Sequence, residues 1–170
     1  MNLKEKMRIV EDFPKAGISF IDITTLLMDG EAYRYAVERC VELAGSSEFT
    51  KIVGPEARGF VIGSPMAYAM GKGFVPVRKP GKLPAETLSH EYALEYGTDT
   101  LEIHKDSIQP GEKVIIVDDL LATGGTVQAV AEMVKKLGGE VVGAVFLIEL
   151  SFLNGREKLK DIPIHTVITY

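Results

Sequence analysis

Two adjacent carboxylates, Asp118 and Asp119, stand just ahead of a Thr123-Gly124-Gly125-Thr126 turn, in the run VIIVDDLLATGGT from Val114 to Thr126. Glycines in such a turn let the backbone approach an anion closely, and the open N–H groups at the start of a following helix favour negative charge. Thr123 and Thr126 add hydroxyl donors, while carboxylates accept hydrogen bonds from sugar hydroxyls. A ribose 5-phosphate satisfies both halves at once. Two other phosphate devices are excluded: G-x-x-x-x-G-K-[ST] needs a lysine after the glycines, and G-x-G-x-x-G is absent. The competing reading of the Asp pair is a solvated strand end.

These groups need elements to position them. Neighbouring side chains of a strand point to opposite faces, so Asp118 and Asp119 serve one ligand only if the strand ends near them, at the carboxyl edge of a sheet. Val114 to Val117 is a fully apolar strand, and Val127, Val130, Ala131, Val134 and Leu137 mark one face of the helix after the turn, stopped by Gly138 and Gly139. Residues 141–148 form the next strand. An earlier unit repeats the theme: a short strand from Lys51 to Val53, an all-apolar helix over 59–70 and a strand from Phe74 to Val77. A helix over 31–44 carries Tyr33, Ala36, Val37, Cys40, Val41 and Ala44 at helical spacing. Continuous apolar strands alternating with helices predict an α/β domain with a mainly parallel sheet covered on both faces. Residues 80–104 interrupt the rhythm with prolines, glycines and scattered charge, which leaves two readings, a lid over a site or a plain surface hairpin.

Composition narrows the class. The 170 residues are 46% hydrophobic, enough for one compact domain over 1–170. A net charge of -5 argues against charge-driven nucleic-acid binding. The single cysteine, Cys40, rules out an intrachain disulfide and falls on a core stripe. The first residues form no signal peptide and no segment is long enough to span a membrane, so a cytoplasmic protein is expected. His90, His104 and His165 show no metal-ligand spacing, and no protein metal site is expected.

VIIVDDLLATGGT resembles the signature that binds phosphoribosyl pyrophosphate (PRPP) in the type I phosphoribosyltransferases, in the form characteristic of their adenine branch. DFPKAGISFIDIT near the start, GPEARGF at 54–60, VRKPGKLP at 77–84, LEYGTDTLEIHKD at 94–106 and IELSFLNGREKL at 148–159 resemble that branch in the same order, over nearly the whole chain. The resemblance implies a Rossmann-like type I phosphoribosyltransferase fold with a lid at 80–104 and a base-binding hood contributed by about the first 30 residues. It implies transfer of phosphoribose from PRPP to adenine, giving AMP and pyrophosphate, with Mg²⁺ held mainly through PRPP and water. A homodimer is expected on the same ground.

Residue roles follow from the same resemblance. Asp118 and Asp119 would hold the ribose hydroxyls, and Ala122, Thr123, Gly124, Gly125 and Thr126 the 5-phosphate. Arg58, Lys79 and Lys82 would meet the pyrophosphate; on their own, Arg58 reads as a surface charge and the lysines as a solvated basic turn. Phe20 would stack on one face of adenine and Leu150 cover the other, with backbone groups near Ile18 to Phe20 reading the purine edge; on its own, Phe20 reads as a core aromatic. Glu95 would exchange a proton with adenine and Tyr96 help close the lid. A non-proline cis peptide is expected between Glu56 and Ala57. The chain departs from the pattern at Ile21, where relatives usually carry arginine or lysine. Two alternatives stand beside this expectation: a phosphoribosyltransferase for another purine base, and a PRPP-sensing regulator without catalysis.

Overall fold

The structure is a computed structural model that describes residues 1–45, 48–94 and 97–170. The chain divides into two compact units, Met1–Arg39 and Cys40–Tyr170.

The first unit begins with a 3₁₀ turn, Leu3–Lys6, followed by β1 (Arg8–Val10) and β2 (Phe20–Asp22), which pair antiparallel with Ile9 opposite Ile21. A short helix α1 (Thr24–Met28) leads into α2 (Gly30–Ala44), whose residues 40–44 belong to the second unit. Asp29 starts α2, because its Oδ1 accepts from the N–H groups of Glu31 and Ala32 at 3.2 and 3.1 Å. Of the expected apolar stripe, Ala36, Val37, Cys40 and Ala44 are buried, while Tyr33 and Val41 are half-buried. The β1–β2 ribbon had no signature in the sequence, since each strand is only three residues long.

The second unit contains β3 (Lys51–Pro55), α3 (Arg58–Met70), β4 (Gly73–Val77), β5 (Thr87–Ala93), β6 (Thr98–His104), β7 (Lys113–Leu121), α4 (Gly125–Lys136), β8 (Glu140–Glu149) and β9 (Ile164–Thr169). Five strands form one sheet in the order β4-β3-β7-β8-β9, every neighbouring pair parallel. Val114 to Val117 are all buried, as a strand covered on both faces requires. Alternation assigns the faces. Val53, Val75, Val77, Val114, Ile116 and Phe146 share a core cluster with Val127, Val130, Met133 and Val134 of α4. Residues of the other parity meet α3: a Cβ on Gly63 would lie 2.8 Å from the Phe74 ring and 3.4 Å from Ile52 Cγ2. The two helices therefore cover opposite faces.

This arrangement creates a switch point. From β3 the chain crosses over to β4 on one side, and from β7 it crosses to β8 on the other. Pairing between β3 and β7 stops at Val53 opposite Ile116, although β3 runs on to Pro55 and β7 to Leu121. The carboxyl ends of these two strands thus flank a crevice, the usual ligand position in an open α/β sheet.

The segment at 80–104 is in large part a hairpin. β5 and β6 pair antiparallel from Thr87 opposite His104 to Ala93 opposite Thr98. Leu101 and Ile103 belong to the main core, and His90 lies between Lys136 Nζ at 2.9 Å and Glu132 Oε2 at 3.1 Å on α4. His104 Nε2 accepts from the Ala85 N–H at 3.2 Å.

Candidate active site

Local sequence forces the geometry of the loop after β7. Gly124 adopts φ 81°, a left-handed conformation that suits glycine, and forms the N-cap of α4. Among the described residues no side chain caps that helix end. The first N–H groups of a helix have no partner within it, so this end offers donors and a positive dipole to an anion. Its first turn closes where Gln128 N–H donates to Gly124 O at 3.0 Å.

Asp118 and Asp119 sit immediately before this turn. The strand does not end ahead of them, as the sequence reading expected; it continues to Leu121, with Asp118 opposite Phe146 and Leu120 opposite Ile148 of β8. What frees the carboxylates is the other edge, where β3 has already stopped pairing. Asp119 is 2% exposed. Its Oδ2 lies 2.9 Å from Arg58 Nε, a contact between charges: among the described residues no N–H or O–H points at that oxygen with hydrogen-bond geometry. Asp118 Oδ1 accepts from the Asp119 N–H at 2.8 Å. Burial pushes the Asp118 carboxyl well above the usual carboxylate range, and the Asp119 charge pushes it further. Asp119 is also raised by burial, against the pull of Arg58.

Arg58 comes from the second loop of the switch point, as the first residue of α3. The Glu56–Ala57 peptide before it is cis, as expected. Gly59 permits the close approach of α3 to β7, since a Cβ there would lie 3.1 Å from Asp118 Oδ1 and from Val117 O. Glu56, Arg58 and residues 118–127 line a cleft of about 250 Å³. The cleft thus brings together Arg58, both aspartates and the whole Ala122–Thr126 turn.

The remaining candidates fall elsewhere. Lys79 is paired with Asp99 of β6, and its backbone N–H donates to Glu56 Oε1 at 2.7 Å. Arg78 Nε contacts the same Glu56 oxygen at 3.3 Å. Lys82 is exposed, on the turn before β5. Leu150 follows β8, and its N–H donates to Leu121 O at 2.9 Å. In the first unit, Ile18 is 44% exposed and its backbone is engaged locally: its N–H donates to Lys15 O and its carbonyl accepts from Phe13 N–H. Phe20 meets Phe13 edge-on at 5.2 Å and is half-buried, not a core aromatic. Ile21 is buried, 7% exposed, which explains an apolar residue there. Glu95 and Tyr96 lie outside the described residues.

Sequence reasoning missed Glu56, which ties the Arg58 loop to the basic turn after β4, and Gly155. A Cβ on Gly124 would lie 2.5 Å from Gly155 O, so the turn at 154–156 forms a wall behind the anion loop. Nothing local marks either role, since both depend on partners distant in the chain.

A model of the phosphoribosyl transferase domain matches residues 31–168. The chain is 60% identical over 170 residues to the adenine phosphoribosyltransferase of Alkaliphilus metalliredigens (strain QYMF), covering 100% of each. Among solved structures, the adenine phosphoribosyltransferase of Thermoanaerobacter pseudethanolicus matches with a TM-score of 0.97 at 55% identity, over 99% of this chain and 98% of that one. The Saccharomyces cerevisiae adenine phosphoribosyltransferase, solved with adenine and an imino-altritol bisphosphate, matches with a TM-score of 0.90 at 40% identity, over 97% of this chain and 96% of that one.

Proposed function

The chain belongs to the phosphoribosyl transferase family, in its adenine phosphoribosyltransferase branch, and from that premise we infer what each part of the cleft does. The enzyme transfers the 5-phosphoribosyl group of PRPP to adenine, forming AMP and pyrophosphate in purine salvage. The observation that carries this reading is the meeting, in one cleft, of an uncapped helix start, two adjacent carboxylates, of which Asp119 is buried, and an arginine.

In the proposed roles, the Ala122–Thr126 turn takes the 5-phosphate through its backbone donors. Asp118 and Asp119 accept from the ribose hydroxyls, and Arg58 turns from Asp119 toward the pyrophosphate, joined by Lys79 and Lys82. Lys79 must exchange its Asp99 contact for the ligand. The ribose gains positive charge as pyrophosphate leaves, and adenine N9 attacks the anomeric carbon while the ring proton passes to Glu95, the proposed base. The paired carboxylates favour that charge, an electrostatic contribution that is often the largest in catalysis. Ile18, Phe20 and Leu150 are the proposed adenine-reading residues, and Tyr96 closes the lid that excludes water.

The donor set suits a hard divalent ion held mostly by substrate. Asp119 Oδ2 is buried without a directed donor, while the described residues contain no group of three His, Cys, Asp or Glu able to form a cage. Magnesium, bound through PRPP and water beside Asp118 and Asp119, would neutralise the departing pyrophosphate. Among the described residues no helix is long and apolar enough to cross a membrane; a cytoplasmic homodimer is the proposed working form.

The direct test measures AMP and pyrophosphate formation from adenine and PRPP, with magnesium present and chelated, beside hypoxanthine and guanine. Turnover with adenine alone, lost on chelation, is expected. Preference for another base would overturn the adenine roles, and absence of pyrophosphate release would favour a PRPP sensor. For the lid, Glu95→Gln should lower kcat at least about tenfold, roughly 1.4 kcal/mol, with a smaller change in PRPP KM. An unchanged kcat with a large rise in that KM would remove Glu95 from proton transfer.

A further inference from the structure

We propose that Glu149 and Arg156 are positioning residues for the anion cup, acting through the Gly155 backbone rather than by touching substrate. The proposal rests on the reading that residues 122–126 hold the 5-phosphate.

Glu149 ends β8 and is 6% exposed. Arg156 grips it with a fork: Nε donates to Oε1 and Nη2 to Oε2, each at 2.7 Å. Thr166 Oγ1 of β9 donates to Oε2 at 3.1 Å, and Arg156 Nη1 donates to the Ile164 carbonyl at 3.0 Å. The turn that carries Arg156 is thereby fastened to two neighbouring strands. Two parallel N–H···O bonds fix orientation as well as distance, which a single lysine ammonium does not. The pairing holds the Glu149 carboxyl below its ordinary value, chiefly through the hydrogen bonds from Arg156.

The residue before Arg156 is Gly155, and its backbone abuts the cup from behind. Its carbonyl oxygen lies 2.5 Å from the point a Gly124 side chain would occupy, and a side chain on Gly155 would run into the Ala122 carbonyl. Backbone stands against backbone on both sides, so a small displacement of the 154–156 turn passes to Ala122–Gly124 without a side chain to absorb it. Position of the donors at the α4 start decides affinity for an anion, because hydrogen bonds weaken steeply with misalignment. The fork is therefore expected to set PRPP affinity while leaving the reacting groups in place.

The test compares wild type with Glu149→Gln/Arg156→Met, which removes both charges together, and with Arg156→Lys, which keeps the charge and loses the fork. Melting temperature, kcat, KM for PRPP and adenine, and ribose 5-phosphate affinity by calorimetry are read for each. Both variants should raise PRPP KM and weaken ribose 5-phosphate binding, the double variant at least about tenfold, with kcat and adenine KM changed less than about threefold. Wild-type PRPP KM in a folded double variant refutes the proposal, as does a fall of melting temperature and kcat accompanied by equal rises in both KM values, which marks a purely structural pair. If the double variant does not fold, an unchanged PRPP KM in Arg156→Lys has the same refuting force. Amide resonances of Gly124 and Gly125 separate the two levels. Should they ignore ribose 5-phosphate in wild type, the cup reading itself fails and takes the proposal with it; a response in wild type with unaltered affinity in the variants sinks the proposal alone.

Discussion

Asp118→Asn is expected to raise the melting temperature of the ligand-free protein while lowering kcat/KM at least about tenfold, roughly 1.4 kcal/mol. The two effects have one cause. Asp118 is a desolvated carboxyl beside a second carboxylate, and its affinity for a proton is raised by burial first and by Asp119 second. Asparagine keeps an oxygen for the Asp119 N–H and discards the charge. In a domain of this size each kcal/mol gained corresponds to about 2–4 °C. The pH dependence fixes the sign. The folded form holds its proton to higher pH than an unfolded aspartate, whose value is about 3.9, so wild-type stability falls as pH rises between those two values. The variant escapes that fall. The gap between the two melting curves should be absent below about pH 3.9, widen above it, and level off past the raised value. Asp119→Asn should lower activity as strongly but stabilise less, because the Arg58–Asp119 ion pair is lost with it. Full activity in both variants, or a melting temperature that drops on Asp118→Asn at neutral pH, contradicts the assignment.

Gly124→Ala carries the second large effect. The position has φ 81°, which costs a side-chain-bearing residue about 1–2 kcal/mol, and the new Cβ meets the Gly155 carbonyl at 2.5 Å. Backbone cannot rotate away as a long side chain could, so the loop has to shift. PRPP KM should rise about ten- to a hundredfold, while adenine KM moves little. Gly143→Ala serves as control. Its Cβ would find only ordinary contacts, 3.6 Å to Pro163 O and 3.8 Å to Ile115 Cγ2, and its kinetics should be near normal. A Gly124→Ala enzyme with wild-type PRPP KM would show that the loop has room to spare.

The distribution of what could be read in advance has a physical basis. Central elements were legible because burial on both faces leaves a continuous apolar run: the helix over 59–70 is α3 to within one residue, and the strand over 141–148 is β8 to within one at each end. The edge strand β9 was not foreseen, since Ile164–Thr169 mixes His165 and Thr166 with Val167 and Ile168 and follows no single period. The anion cup was legible because its chemistry is contiguous. Its supports were not. The Glu56 tie to Lys79 and the meeting of Gly124 with Gly155 arise only when separate strand ends are brought to one sheet edge, and the Glu149–Arg156 fork depends on how the turn after β8 folds back. The length of β7 misled for a related reason: strand pairing continues on the β8 side after it has ceased on the β3 side, and a one-dimensional pattern reports no such asymmetry.

Cys40, the only cysteine in the chain, is wholly buried on α2. The native enzyme therefore presents no thiol to peroxide, to alkylating inhibitors or to a disulfide with another copy, and its turnover should be indifferent to reductant. The same seal makes the sulfur a clock: under native conditions modification proceeds only as fast as the surrounding structure opens, so the labelling rate reads local unfolding of α2 with no engineered probe.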